Sequence, residues 1–114
     1  MRREELYLTD MVEAAKAVGA FTSGITFEWF LDNDQLKSAV LYKLTIIGEA
    51  ASKIPKELKS KYPAIEWAKI AAFRNYVVHA YFSVDWVIVW GAAKEEVPEL
   101  MEDIGRILKA EFSS

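Results

Sequence analysis

Arg74, Asn75, His79 and Tyr81 fall within one eight-residue stretch, Arg-Asn-Tyr-Val-Val-His-Ala-Tyr, with the spacing R-x-x-x-x-H-x-Y. His79 is the only histidine in the chain. An imidazole is the side chain that ordinarily exchanges a proton near neutral pH, so His79 is the natural candidate for general acid or base. Arg74 brings a permanent, planar cation to the same segment. Phosphodiester cleavage without a metal needs that pair: a cation to stabilise charge on the phosphate and an imidazole to move the proton. Tyr81 adds a hydroxyl beside them.

Each residue also has an ordinary structural reading. Arg74 shares a helical stripe with Ile70, Val77 and Tyr81, where a half-buried arginine commonly pairs with a carboxylate such as Glu49. A lone helical histidine is more often a satisfied residue than a catalyst. Asn75 and His79 are four apart and share a face, so the amide is placed to orient the imidazole or touch substrate; otherwise it is a surface polar group. Glu49 lies on a polar stripe with Tyr42, Thr45 and Ser52 in an otherwise apolar segment. A carboxylate there calls for a partner, with Arg74 or His79 as the candidates.

Helix geometry sets a condition on this site. Five residues separate Arg74 from His79, about 140° around a regular helix, so the two do not converge within one. Either the helix ends near His79 and the chain turns back, or two copies of the segment face each other across a two-fold axis.

The elements that must position these residues read as helices throughout. A first helix is expected from about Arg3 to Val18, with Tyr7, Met11, Ala14 and Val18 at helical spacing, broken at Gly19 and again at Thr22-Ser23-Gly24. Thr26 to Leu31 reads as a short helical turn. Asp32 or Asn33 is placed to cap a long helix from about Asp34 to Ile54. Its stripe is Leu36, Val40, Leu44, Ile47, Ala51 and Ile54. Pro55 can open a short turn over Lys56 to Lys59, and Tyr62-Pro63 interrupts the chain. The chemistry-bearing helix is expected from about Ile65 to His79. Ser83 is expected to cap the last helix, with Asp85 in its first turn and a kink at Pro98. The pattern predicts an all-α, antiparallel four-helix bundle with additional short helical turns, as one domain over residues 1–114.

The apolar fraction of 53% exceeds the usual share for soluble domains, which suggests some apolar surface meant for another chain. The absence of cysteine excludes disulfides and thiolate metal sites and fits a reducing cytoplasm. The charged start, Met1-Arg2-Arg3-Glu4-Glu5, is unlike a signal peptide, and no apolar run is long enough for a bilayer, so no membrane partner is expected. A net charge of −3 argues against broad, sequence-independent nucleic-acid binding. Lys53, Lys56, Lys59, Lys61 and Lys69 nevertheless form a local basic run that could guide an RNA strand, or simply a solvated face.

Arg74-Asn75-x-x-x-His79-x-Tyr81 resembles the motif of HEPN domains. Ile47-Gly48-Glu49-Ala50-Ala51, Tyr62-Pro63-x-Ile65-x-Trp67, Phe82-x-Val84-Asp85 and Val97-Pro98-x-Leu100 narrow the resemblance to HepT-like toxins over nearly the whole chain. The resemblance implies a helical homodimer, or a higher even oligomer, with a composite cleft. It implies a metal-independent endoribonuclease toxin that needs no cofactor and acts on RNA. The implied partner is a cognate minimal nucleotidyltransferase antitoxin that can transfer AMP to the motif tyrosine, here Tyr81. Arg74 and His79 would be catalytic; Asn75, Tyr81 and Glu49 would support or position substrate. Ala80 departs from the glycine or polar residue usual at that place, which bears on the local backbone. An alternative within the same resemblance is the non-catalytic, nucleotide-binding subunit of a two-component nucleotidyltransferase. A plainer one is a dimeric scaffold.

Overall fold

The chain's apolar spacing is realised as a bundle of helices in a computed structural model that describes residues 2–112. Four long helical stretches carry it: α1 (Arg3–Thr22), α3 (Asp34–Ser52), α5 (Trp67–His79) and the run from α6 (Trp86–Gly91) into α7 (Val97–Phe112). Two short helices, α2 (Phe27–Leu31) and α4 (Lys56–Lys61), make the corners, and there is no strand among the described residues. Helix α1 packs on α3 and α7, and α3 packs on α5. The centre is filled by Leu8, Met11, Val18, Val40, Ile104 and Ile107, all fully buried. Each is worth roughly 1.5–3 kcal/mol relative to exposure. Phe30 closes one end, with its ring centroid 5.0 Å from that of Trp90 and 6.0 Å from that of Trp86.

Several boundaries differ from the sequence pattern, each for a physical reason. Gly19 does not break α1. A helical glycine costs only about 1 kcal/mol, and the last turn is held by buried Thr22. Its hydroxyl donates to the Val18 carbonyl at 2.9 Å, and its own carbonyl accepts from Lys94 Nζ at 3.0 Å. The break comes at Gly24, whose φ of 73° suits glycine. Asn33, rather than Asp32, caps α3 by accepting from the Leu36 amide at 2.9 Å. Ser83 does not cap the last helix. It closes a 3₁₀ turn over Tyr81–Ser83, and Asp85 is the cap, accepting from the Val87 amide at 3.0 Å. Ahead of Pro98 the chain forms a π turn over Ala92–Glu96, in which the Val97 amide donates to the Ala92 carbonyl. That widened turn accommodates a residue that has no N–H and crowds the carbonyl four before it.

Between α5 and the α6–α7 run the bundle stays open. A groove of about 420 Å³ lies there, with Leu44 and Ile47 of α3 at its floor. No helix among the described residues is long and apolar enough to cross a membrane.

Candidate functional site

Glycine in the middle of a long apolar helix usually weakens it, so Gly48 on α3 calls for a reason. A side chain there would collide with Arg74 Cβ and sit 3.3 Å from both Arg74 Cγ and the Ile70 carbonyl. The missing Cβ lets α5 lie directly on α3. That close approach sets Arg74 beside Glu49, the neighbour of Gly48.

Arg74 Nε forms an ion pair with Glu49 Oε1. Arg74 Nη1 donates to Asn75 Oδ1 at 3.1 Å. The two charged side chains are about equally half-exposed, 37% for Arg74 and 38% for Glu49, so the pair lies at the surface end of the α3–α5 seam. The guanidinium is thus contacted at two of its nitrogens, and the third, Nη2, makes no hydrogen bond among the described residues. Braced in this way, a planar fork can take a phosphate with little further loss of freedom.

His79 is the last residue of α5 and is exposed. Its imidazole makes no hydrogen bond or ion pair among the described residues and does not join Arg74, Asn75 or Glu49. Asn75 bonds to Arg74 rather than to the imidazole with which it shares a face. The helix does end at His79, yet the end does not carry the ring back to Arg74 within the chain. Tyr81 opens the 3₁₀ turn that follows; its side chain lies outside the described residues. Ala80 has φ −110° and ψ 23°, and no non-glycine residue among those described has positive φ. Alanine in place of the usual glycine or polar residue is therefore free of backbone strain.

Two further residues shape the site. Tyr76 Oη accepts from the Asp85 amide at 2.8 Å, fastening the segment after the motif to the helix that carries it. Gly48 lets the two helices touch. The signal for Gly48 was an isolated glycine inside a helical pattern, which marks a close approach; nothing in the spacing pointed to the Tyr76 hydroxyl. No group of three or more His, Asp or Glu side chains among the described residues converges as a metal site.

A model of the family described as HepT-like ribonuclease matches residues 11–107. A protein of Methanocaldococcus jannaschii provisionally named an RNase is 39% identical over 103 residues, which are 90% of this chain and 85% of that one. A protein of Thermococcus cleftensis provisionally named ribonuclease HepT is 38% identical over 108 residues, 95% of this chain and 98% of its own. One from Caldanaerobacter subterraneus, also provisionally named an RNase, is 33% identical over 111 residues and matches across 99% of its length. No solved structure matches the chain. The motif, its helical setting and a match that runs through nearly the whole bundle agree: the chain belongs to the HepT-like ribonuclease family.

Proposed function

We propose that this protein is a metal-independent endoribonuclease of toxin type that cleaves RNA in a cleft shared by two copies of the chain. The observation that carries the reading is the braced, half-exposed Arg74 on the same helix as an exposed His79 whose imidazole makes no hydrogen bond among the described residues. The two are too far apart around that helix to act on one phosphate within one chain. Two copies related by a two-fold axis can bring Arg74 of one against His79 of the other. Support for a second copy comes from apolar side chains exposed around the motif: Val78 at 47%, Val87 at 64% and Phe82 at 98%. Covering such a patch removes apolar area from water at about 25 cal/mol per Å².

In this reading Arg74 holds the scissile phosphate and stabilises its developing charge. His79 takes the proton from the ribose 2′-hydroxyl as that oxygen attacks phosphorus. The bond to the 5′-oxygen breaks, the leaving oxygen takes a proton from solvent, and the products are a 2′,3′-cyclic phosphate and a 5′-hydroxyl. Glu49 and Asn75 are positioning residues that act through Arg74. Tyr81 positions the phosphate and is the acceptor for AMP from a cognate minimal nucleotidyltransferase antitoxin. An attached AMP would set negative charge beside Arg74 and fill the cleft.

The reading is tested with purified protein and RNA in the presence of chelator. Cleavage is expected from the parent and is lost in Arg74→Ala and His79→Ala, with helical circular dichroism retained. Cleavage by His79→Ala at the parent rate contradicts the assignment. Intact mass after co-expression with the nucleotidyltransferase should show an AMP-sized adduct that Tyr81→Phe removes. An adduct that persists in Tyr81→Phe moves the acceptor elsewhere.

A further inference from the structure

The groove between α5 and the α6–α7 run lies apart from the Arg74 site. Helix α5 gives it Ile70, Phe73 and Tyr76, while Arg74 and Asn75 take no part in its lining. Its opposite wall carries Ile88, Val97 and Leu100. The apolar floor and walls are bordered by four carboxylates, Glu66, Glu96, Glu99 and Asp103, against a single ammonium, Lys69, a local net charge of −3. Lys69 is shared between two of them, 4.0 Å from Glu66 and 3.8 Å from Glu96. Arg106 pairs with Asp103 from outside the groove. Glu99 has no ion-pair partner among the described residues.

From this surface we infer that the groove is a docking site for a basic amphipathic helix of another protein. An apolar trough between helices accepts a helix that presents apolar anchors at i, i+3 or i+4, and i+7. The acidic border selects which helices enter, favouring lysine and arginine on the flanks of the apolar face and rejecting acidic ones. The same border argues against the other occupants. A second copy docking by this groove across a two-fold axis would set the carboxylates of both copies against one another. An RNA strand would bring phosphates to them. The groove also touches the motif segment, because Tyr76 lines it and its hydroxyl holds the Asp85 amide. A docked helix thus meets the residue that fastens the turn after His79.

The test uses the ¹⁵N-labelled full chain and two synthetic helices of the same apolar pattern, leucines at i, i+3, i+4 and i+7. One carries lysines on its flanks, the other glutamates. The lysine helix should bind saturably, moving the amides of Ile70, Phe73 and Leu100, and the glutamate helix should bind at least about 10-fold more weakly. Glu96→Lys with Glu99→Lys, at two exposed positions, should erase or reverse that preference. The inference is overturned by equal affinity for the two helices, by no saturable binding, or by shifts confined to other surfaces. It is equally overturned if the same amides broaden with protein concentration alone, or shift with a short single-stranded RNA. Binding is read without RNA cleavage, so the result stands whether or not the nuclease reading does.

Discussion

Arg74 is held by two neighbours whose contributions differ in kind. Glu49 compensates its charge, whereas Asn75 only fixes the direction of one N–H. A half-exposed ion pair contributes roughly 0–1 kcal/mol to stability, so the larger consequence of the brace is orientation. Arg74→Lys keeps the cation and loses the fork. Its kcat/KM on RNA is expected to fall by about 10²-fold while the melting midpoint hardly moves. An Arg74→Lys protein as active as the parent would mean that a point charge suffices and that the brace is incidental. Glu49→Gln should lower kcat/KM less, by about 10-fold, through a looser guanidinium; a rise would show instead that Glu49 competes with the phosphate. The Arg74–Glu49 pairing was legible in the sequence because charged groups stand out on otherwise apolar helices. The Asn75–Arg74 bond was not. Adjacent residues point about 100° apart on a helix, and only the length of the arginine lets it fold back to its neighbour.

The α3–α5 contact turns on a single missing methyl. Gly48→Ala would raise helix propensity by about 1 kcal/mol at an open position, but here the new Cβ meets α5. The expected result is a loss of roughly 1–3 kcal/mol in denaturant unfolding, with a fall in cleavage as Arg74 is displaced. Gly105→Ala on α7 is the control, since nothing lies within 4 Å of its added Cβ; it should be neutral or stabilise by up to about 1 kcal/mol. A stabilised Gly48→Ala protein would remove the close approach from the account. The helices themselves were legible, because 3.6-residue apolar spacing needs no tertiary knowledge. Their ends were less so. Thr22 is retained in α1 by a lysine 72 residues away in sequence, and Pro98 signals an adjustment of the helix without specifying that it takes the form of a π turn over Ala92–Glu96. Asp85, expected in the first turn of the last helix, is its cap because the 3₁₀ turn takes up Ser83.

Across the whole molecule, the end of α4 is tied to the end of α7 by a polar cluster. Tyr62 Oη donates to Glu111 Oε2 at 2.7 Å, and Lys61 Nζ lies 3.2 Å from Glu111 Oε1. The Tyr62 hydrogen bond, followed by that from Lys61, holds the Glu111 carboxyl below the usual carboxylate range. The hydrogen bond to Glu111, with burial and the nearby negative charge, pushes the Tyr62 phenol up. A depressed carboxyl stabilises the fold above its unfolded pKa and loses that contribution as pH falls through its lower folded value. A raised phenol stabilises below its unfolded pKa and loses that contribution as pH rises through its folded value. Tyr62→Phe should therefore be less stable than the parent at neutral pH, and the gap in denaturant midpoint should close in acid. A gap that is unchanged in acid would take the cluster out of the stability account. The pairing of two copies is the largest-scale claim, and the site depends on it. It is tested most directly by mixing Arg74→Ala and His79→Ala proteins, each inactive alone, after subunit exchange. A shared cleft predicts that mixed dimers regain one intact site, giving roughly a quarter of parental RNA cleavage at equal proportions. No recovery in a mixture shown by mass to contain mixed dimers would contradict the shared cleft.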